Sequence, residues 1–536
     1  MERYLVFVLA IAGSVAALVL GLTVSPWFWL LFLMLAGLSA LGIYDLVQVR
    51  HSLLRNYPIL AHMRWLFEGI RPEIRQYLFE ADEDAVPFNR EQRALVYQRA
   101  KNELQTLPFG TQKNVYEPGF VWLTHSLAPK HIENSDFRIA IGGPDCAQPY
   151  NASVFNVSAM SFGSLSANAI LSLNTGAKLG GFAHDTGEGG ISRYHREGGG
   201  DIIWEIGSGY FGCRAEDGGF DADKFATQAA DPQIRMIEVK LSQGAKPGHG
   251  GVLPAAKITP EIAEARGVPM GVDCISPASH SAFSTPMEFA RFLGRLRELS
   301  GGKPVGFKLC LGHRWEFMAM LKAMIETGIY PDFIVVDGKE GGTGAAPLEF
   351  SNSIGTPLRE GLTFVHNALI GAGIRERIRI GASGKIVSAS DIATTIALGA
   401  DWCNSARGFM FSIGCIQAKS CHTNRCPTGV ATQDPIRQRA LVPEDKSVRV
   451  ANFHRNTLHA LAELLGAMGL QSPPELRGER VMLRGADERS LNIKDCYPGL
   501  AKGDLLAGKG HSFFLEAWEM AQAASFDPTH PKVAAE

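Results

Sequence analysis

The chain has 536 residues, more than one small core requires, so a large catalytic domain with additional segments is expected. Lysine and arginine number 52 and aspartate and glutamate 54, giving a formal net charge of -2. This balance gives no support to a nucleic-acid partner, and none is predicted. The 58 glycines concentrate in short loops between apolar runs, where a backbone must turn sharply or approach a ligand closely.

Two uncharged apolar stretches open the chain, from Tyr4 to Val24 and from Trp27 to Tyr44. Each is close to the roughly 20 residues that cross a bilayer. A signal peptide and two buried helices of a soluble protein are the alternatives, but no cleavage site separates the stretches. Arg3 precedes the first stretch and Arg50 follows the second, so the positive-inside rule puts both ends in the cytoplasm. The sequence predicts a transmembrane hairpin in the inner (cytoplasmic) membrane, with the catalytic domain facing the cytoplasm.

We divide the chain into four expected segments. The hairpin occupies 1–48, and a membrane-proximal helical connector occupies 49–149, where FNREQRALVYQRAKNELQTL is typical of a helix. A catalytic domain follows over 150–435, and a C-terminal helical extension over 436–536. The extension has LHALAELLGAMGL as its clearest amphipathic stretch.

From about residue 150, short β-rich runs alternate with helical stretches. Eight runs are predicted as strands: 154–160, 180–185, 236–242, 270–276, 304–310, 332–338, 378–384 and 400–407. Eight parallel strands separated by helices close a (β/α)8 TIM barrel, the predicted α/β fold. An open doubly wound sheet is the alternative, weakened because no G-x-G-x-x-G motif opens a helix after the first strand.

The segments after the predicted strands are polar and glycine-rich, and barrel enzymes carry their chemistry at these strand ends. Serines and glycines after the seventh and eighth strands suit a phosphate group, because backbone N–H groups there can bind an anion. A phosphorylated cofactor is therefore predicted. Lys240 and Lys308 lie within strand-like runs, where a buried cation needs a partner. Each either forms a structural ion pair or faces an anionic ring or carboxylate in the barrel mouth.

Three cysteines lie close together in GCIQAKSCHTNRCPTGVATQ, at 414–433. Cys415, Cys421 and Cys426 have the spacing C-x5-C-x4-C, and a proline follows the last one. Zinc sites usually use closer cysteine pairs, whereas iron–sulfur clusters take thiolates from closely spaced loops, often before a proline. The spacing favours an iron–sulfur cluster and leaves zinc or reduced structural thiols open. The scattered cysteines are expected to be small buried apolar side chains: Cys146, Cys213, Cys274, Cys310, Cys403 and Cys496.

Several segments together resemble the FMN-binding synthase domain of glutamate synthases. In chain order they are SAMSFGSLS, HDTGEGG, IEVKLSQGAKPGHGG, ISPASH, VGFKL, DGKEGGTGAAP and the cysteine segment, and they cover roughly 150–435. The resemblance implies a (β/α)8 barrel that holds FMN, with a three-iron four-sulfur (3Fe-4S) cluster on Cys415, Cys421 and Cys426. It implies these FMN contacts: Ser158, Ala159, Met160, Ser161, Lys308, Gly341, Gly342, Thr343, Ser383, Gly384, Ala406 and Arg407.

The resemblance also implies a reaction, the reductive amination of 2-oxoglutarate, through 2-iminoglutarate, to glutamate. Reduced FMN, fed through the cluster, is the reductant. Glu188 matches a glutamate beside the flavin ring, while Lys240, Gln243, Lys246 and Arg266 match residues on the substrate side. The implied partners are ammonia, free or from a separate glutaminase subunit, and an external electron donor such as ferredoxin or a reductase subunit.

Two departures from the family pattern bear on the substrate. The family usually has a glutamate at His249 and a 2-oxoglutarate-binding glutamine at Val252. The apolar N-terminus also replaces the family's glutaminase domain, so no glutamine hydrolysis is expected. One alternative is a membrane-linked flavin dehydrogenase acting on another amino or oxo acid. Another is a non-catalytic membrane electron-transfer subunit, which retention of Lys246, Gln243 and Glu188 argues against.

Overall fold

A computed structural model of the chain describes residues 2–68 and 87–529, and a closed barrel of eight parallel strands forms its centre. We label the barrel strands in chain order: β1 (Phe155–Val157), β2 (His184–Asp185), β3 (Ile202–Ile206), β4 (Ile234–Lys240), β5 (Val305–Leu309), β6 (Phe333–Asp337), β7 (Arg379–Ser383) and β8 (Trp402–Ser405). Each strand pairs with its neighbours in sequence, and β8 closes the barrel against β1. The predicted fold class is confirmed.

One of the eight predicted strands is wrong. The run at 270–276 stays outside the barrel, where Cys274–Ile275 pairs antiparallel with Val252–Leu253. The third barrel strand is instead β3, whose five residues IIWEI are all buried. A parallel barrel strand is covered on both faces, so it lacks the polar alternation that marks a half-buried strand. A consequence is that Lys240 ends the fourth strand rather than the third.

The helices surround the barrel and extend it at both ends. In chain order they are α1 (Leu5–Thr23), α2 (Phe28–Val47), α3 (Ser52–Asn56), α4 (Arg90–Lys101), α5 (Ala167–Gly180), α6 (Arg193–Gly198), α7 (Ala222–Ala229), α8 (Pro260–Arg266), α9 (Pro286–Leu299), α10 (Arg314–Thr327), α11 (Leu348–Ser353), α12 (Leu358–Gly371), α13 (Ala389–Ala397), α14 (Arg407–Ser412), α15 (Pro435–Gln438), α16 (Pro443–Ala467) and α17 (Ser512–Met520).

Local sequence explains where these helices begin. At the start of α9, the Thr285 hydroxyl accepts from the Glu288 N–H and the Glu288 carboxylate accepts from the Thr285 N–H, while Pro286 occupies the first turn. This capping box satisfies N–H groups that have no partner within the helix. Phe289 and Leu293 on the same helix are buried and form part of the core around the barrel.

The flanking segments are less purely helical than predicted. Helix α4 confirms the helix expected within 88–107, whereas connector residues 69–86 lie outside the described ranges. Val121–Leu123 of the connector pairs with Val481–Arg484 of the C-terminal tail, which also pairs with Ser490–Asn492. These strands form a three-stranded antiparallel sheet that joins the connector to the C-terminal extension, which were predicted as separate segments. A further antiparallel pair joins Arg138–Ile141 to Tyr150–Ser153.

Helix α16 packs against α5, α13 and β1 and so occupies the eighth helix position of the barrel. The sequence division placed this stretch in the C-terminal extension, beyond residue 435. Among the scattered cysteines, four are buried as predicted, and Cys146 and Cys496 are half-buried.

Helices α1 and α2 pair with each other at the N-terminus, joined through Pro26. By length and composition, both are suited to crossing a membrane, and only 11% of the most apolar window of each is buried. Gly42 lets the two helices approach, since a Cβ atom there would lie 2.3 Å from the Phe7 ring. Near the end of α2, the buried Asp45 carboxylate accepts from the Ile59 N–H at 2.8 Å and pairs with His62. The base of the hairpin is therefore fixed to the segment that follows it.

Candidate active site

The barrel interior holds a group of buried charges below the carboxyl ends of its strands. Asp185 of β2, Glu205 of β3 and Glu238 of β4 have carboxylate oxygens within 4.8 Å of one another. Lys308 of β5 pairs with Glu205 and lies 3.8 Å from Glu238. We call these four residues the core charge cluster. Three carboxylates around one lysine cannot all be ionised at low cost in a buried site.

The pKa shifts of these carboxyl groups agree with the expectation that they are not all ionised. Burial and then the nearby Glu205 raise the pKa of Asp185 to about 7, against the opposing effect of Lys308. Burial and Asp185 raise the pKa of Glu238 well above its usual range. Neither oxygen of Glu238 has a hydrogen-bond partner among the residues that the structure describes. The core charge cluster therefore retains a proton near neutral pH.

A second ion pair lies at the strand ends. Lys240, the last residue of β4, pairs with Glu188 in the 3-10 turn after β2. Burial would raise the pKa of Glu188, but Lys240, Lys246 and Arg266 outweigh it and lower the pKa to about 2. The Gln243 side-chain oxygen lies 3.5 Å from the Lys240 ammonium. This arrangement keeps Glu188 ionised, so it can accept hydrogen bonds but cannot donate a proton near neutral pH.

Lys246 and Arg266 are both buried beside this pair. The Lys246 ammonium donates to the Gly250 carbonyl at 3.2 Å, and burial lowers its pKa. The Arg266 guanidinium donates to the Phe162 carbonyl at 3.1 Å and packs over the Phe211 ring. Arg266 thus lies behind the mouth, where its charge still acts on Glu188.

Most of the residues that are predicted to contact the cofactor line one cavity beside Lys240 and Glu188. Nine of the twelve residues line it: Ser158, Ala159, Lys308, Gly341, Gly342, Ser383, Gly384, Ala406 and Arg407. Gln243 and Asp337 share the lining. Thr343 instead lines an adjoining open cavity of about 860 Å³. Met160 and Ser161 lie against Gly187, where φ is +62° and a Cβ atom would lie 2.7 Å from the Ser161 nitrogen, so no side chain fits.

The cavity measures about 50 Å³, too small for a whole flavin, but its donor set fits the phosphate of a phosphorylated flavin, and the adjoining 860 Å³ cavity shares Gly341, Gly342 and Arg407 with it. Lys308 supplies one cation from the floor and Arg407 a second from the start of α14. The Arg407 guanidinium donates to the Glu340 carbonyl at 2.8 Å and lies over the Phe88 ring. Glycines and short serines around these cations leave backbone N–H groups accessible, as phosphate binding requires.

The two residues that depart from the family pattern both line the larger cavity. His249 bonds the Gly250 carbonyl through its Nδ1 atom at 2.8 Å and meets the Phe350 ring edge-on. Val252 begins the short strand outside the barrel. An imidazole and an isopropyl group therefore face the mouth next to Lys246.

The three clustered cysteines share one loop after α14. Burial, and then the neighbouring thiols Cys426 and Cys421, raise the pKa of Cys415 to about 12. The loop is held from outside, because the Tyr97 hydroxyl of α4 donates to the Cys415 carbonyl at 2.6 Å. The charges of Lys257 and Arg407 act on the Cys421 thiol. Three thiols on one loop beside two cations are a donor set that suits thiolate-bound iron, although their sulfur atoms do not all lie within 4.8 Å of one another.

The sequence missed Asp185, Glu205 and Glu238 as functional candidates. Glu205 is the one charged residue in the otherwise apolar strand IIWEI, and Glu238 is the one carboxylate in IRMIEVK, and these positions were the available signal. Register makes them neighbours, since Glu205 lies opposite Glu238 across β3 and β4. Lys240 and Lys308 each form an ion pair, as one of the two alternatives predicted, the first at the strand ends and the second inside the barrel.

Together, the barrel, the paired charges at its strand ends and the adjoining thiol loop define an enzyme of the (β/α)8 class. The family model for the conserved region in glutamate synthase matches residues 133–471. The chain belongs to the glutamate synthase family, and it is an oxidoreductase of the glutamate synthase type.

Individual relatives extend this match. The glutamate synthase large subunit-like protein YerD of Bacillus subtilis (strain 168) is 38% identical over 492 residues, which cover 84% of this chain and 93% of the relative. The archaeal-type glutamate synthase (NADPH) of Thermotoga maritima is 36% identical over 63% of this chain and 63% of its own length. A mutant flavocytochrome b2 with benzoylformate covers 83% of this chain and 96% of its own, with 12% identity and a TM-score of 0.42, a likeness too weak to support an argument.

Proposed function

We propose that this protein is a membrane-anchored glutamate synthase that converts 2-oxoglutarate and ammonia to glutamate, with FMN in the barrel mouth. The observation that supports this most is the single cavity lined by nine of the twelve expected cofactor residues. Lys308, on its floor, also belongs to the core charge cluster. Gln243 joins the cavity to the Lys240–Glu188 pair. Cofactor and substrate would therefore meet at one point.

The chain's own residues would bind the substrate and move protons. Bound FMN would supply the hydride that reduces the imine carbon. Lys246, whose pKa burial lowers, would donate a proton as the carbonyl oxygen leaves as water. Glu188, which stays ionised, would accept hydrogen bonds from the nitrogen that replaces that oxygen. Lys240 and Arg266 would offset the charge of the substrate carboxylates.

We propose that Cys415, Cys421 and Cys426 hold a 3Fe-4S cluster that supplies single electrons. Lys257 and Arg407 would offset the thiolate charge from two sides. Ferredoxin or a reductase subunit would be the external donor, and the relatives named with NADPH favour a nicotinamide-linked reductase. Ammonia would come from solution or from a separate glutaminase subunit.

We propose that α1 and α2 span the inner membrane with both ends in the cytoplasm. The 20 residues of α2 extend about 30 Å, the thickness of a bilayer's hydrocarbon core. Arg3 pairs with Asp434 at 3.8 Å, so the start of the hairpin lies against the catalytic body. The divisions of the chain at residues 48 and 149 are part of this proposal, whereas the barrel domain continues past residue 435 through α16.

His249 and Val252 support a second candidate, a membrane-linked flavin dehydrogenase that acts on another amino or oxo acid. Both line the cavity beside Lys246, where the family's 2-oxoglutarate contacts are expected. A less polar wall there would favour a substrate with a less polar side chain.

One experiment separates the two candidates. The full chain, purified in detergent, is assayed for flavin and iron and then supplied with ammonium, reduced viologen and a series of 2-oxo acids. Our proposal predicts the highest kcat/KM with 2-oxoglutarate, and a Lys246→Gln variant that loses most of the activity. A higher kcat/KM with an apolar oxo acid would establish the second candidate, and protein with flavin but no iron would exclude the cluster.

A further inference from the structure

A second cavity lies away from the barrel mouth, between the base of the hairpin and the catalytic body. Its volume is about 270 Å³. Its walls come from the segment after α2, from α4, from α16 and from the loop that carries the three cysteines. We call it the hairpin-base cavity.

The wall on the hairpin side is basic and aromatic. Arg50 and Arg64 line it together with Trp65, whose ring meets His51 edge-on at 5.4 Å. Arg64 lies 3.5 Å from Glu68, the one acidic residue among the described lining residues. The hairpin side thus has more positive than negative charge.

The wall on the barrel side adds five more cations. Arg90, Arg93 and Lys101 come from α4, and Lys446 and Arg449 from α16. Lys446 and Arg449 also donate to the Arg50 carbonyl at 2.9 Å and 3.1 Å. Seven cations therefore face one glutamate across the described lining.

Among the described residues, three acids pair with these seven cations and do not balance their charge: Glu68 with Arg64, Glu103 with Lys101, and Asp445 with Lys446 and Arg449. Asp445 pairs with both Lys446 and Arg449 at about 3 Å, yet burial and then repulsion by Arg449 still lower the pKa of Lys446 to about 8. Burial followed by Arg449 and Lys446 lowers the pKa of His51 to about 4, so this ring stays neutral. A bound anion would relieve the repulsion among these cations.

The position of the cavity identifies the anion. Arg50 follows the end of α2 at Val47 by three residues, so it lies within about 10 Å of the end of the proposed span. Lipid phosphates occupy a layer only several Å thick outside the hydrocarbon core. Ligand pockets commonly measure about 300 to 1,000 Å³, so 270 Å³ suits a headgroup rather than a large cofactor.

We propose that the hairpin-base cavity binds the phosphate of an anionic phospholipid headgroup. This site rests on the proposed membrane anchoring and is independent of the reaction in the barrel. Gly414 and Ile416, on either side of Cys415, and Thr428, two residues after Cys426, line the same cavity. A bound headgroup would therefore also hold the cysteine loop against α4, so that the bilayer stabilises the part of the enzyme that receives electrons.

The test measures lipid binding by the full chain in neutral detergent. The probes are short-chain phosphatidylglycerol, phosphatidylcholine of the same chain length and inorganic phosphate, and the readout is the melting temperature as each is titrated. We expect phosphatidylglycerol to raise the melting temperature at concentrations where the other two do not. Equal stabilisation by phosphatidylcholine would overturn the site, and equal stabilisation by inorganic phosphate would overturn the headgroup as its ligand.

A charge-matched pair of variants locates the binding. Arg50→Gln with Arg93→Gln removes two cations from the cavity, whereas Arg291→Gln with Arg489→Gln removes two from exposed positions elsewhere. Each cation near a bilayer contributes about 1 kcal/mol, so the cavity variant should bind phosphatidylglycerol about 30-fold more weakly. The exposed variant should bind as the wild type does. Equal weakening in both variants would contradict a defined site.

Two further measurements separate a variant that fails to fold from a variant that folds but does not bind the lipid. Melting temperatures without lipid show whether the cavity variant folds, and native mass spectrometry shows whether it retains phosphatidylglycerol after purification from membranes. A chain that stays soluble once detergent is removed would refute the hairpin, while the short-chain lipid titration would still decide the cavity. Neither readout depends on flavin or on glutamate formation.

Discussion

The core charge cluster and the hairpin-base cavity are opposite solutions to the placement of charge. In the barrel, three carboxylates surround one lysine, and all four groups are buried. At the hairpin base, seven cations and one glutamate are found among the described lining residues, and the space between them is open. A buried excess of negative charge can be neutralised by protons, which need no space. An excess of arginine cannot lose its charge, so it requires an anion and a cavity to hold it.

The two regions therefore have different partners, a proton in the core charge cluster and an anion in the hairpin-base cavity. The core charge cluster keeps a proton directly beneath the cavity that is lined by Lys308. The hairpin-base cavity would instead take its partner from the membrane surface. The first can be tested by mutation and pH, and the second by lipid and salt.

The largest effect is expected from removing the single cation of the core charge cluster. Lys308→Met would remove the cation that pairs with Glu205 in a buried site, and breaking such a pair costs about 3 to 5 kcal/mol. Because a chain of this size does not unfold in two states, the measurement is a drop in melting temperature. Lys303→Met is the matched control, since Lys303 is a buried lysine that donates to the Ala229 and Asp231 carbonyls and pairs with no carboxylate in the described part of the chain. An equal drop in melting temperature in both variants would show that the loss does not come from the charges of the core charge cluster.

Breaking the ion pair at the mouth should affect the reaction rather than the fold. Glu188→Gln removes the carboxylate that faces Lys240, and losing one such preorganised group typically lowers kcat about 100- to 1,000-fold. Steady-state kinetics provide the measurement, with the exposed Glu298→Gln as control. A Glu188→Gln enzyme with a higher KM and an unchanged kcat would show that Glu188 binds the substrate without acting in the transition state.

The retained proton predicts a pH dependence of stability. The folded-state pKa of Asp185, about 7, lies above its ordinary value of 3.8. The stability linked to this proton is therefore fully present below 3.8 and is lost as the pH rises to about 7. The melting temperature of the wild type, taken relative to that of Asp185→Asn at the same pH, should therefore fall as the pH rises between those values. Parallel curves for the two proteins would place the proton elsewhere.

The smallest effect is expected at Glu238. Burial and Asp185 keep this carboxyl protonated, so Glu238→Gln replaces one neutral group by another and should change stability by less than about 1 kcal/mol. Lys308→Met serves as the contrasting variant in the same melting assay. A loss as large as that of Lys308→Met would mean that Glu238 is ionised and pairs with the lysine.

Sequence predicted the barrel well because each strand is a local pattern. The local pattern indicated 270–276 as a strand and not IIWEI. The run IIWEI is short, comes soon after three glycines and has a glutamate within it. That error concealed Glu205, and with it the partner of Lys308, 103 residues away. Such a pair arises only when the barrel closes and sets the register of β3, β4 and β5. The hairpin-base cavity was missed for the same reason, since its cations come from three separated segments.

The central claim is that the barrel mouth reduces an imine made from 2-oxoglutarate. One anaerobic turnover tests it most directly, using full-chain protein whose flavin has been reduced and freed of excess reductant. Adding 2-oxoglutarate and ammonium together should reoxidise the flavin and yield one glutamate per flavin, whereas either compound alone should do neither. Flavin that stays reduced in the presence of both would contradict the account.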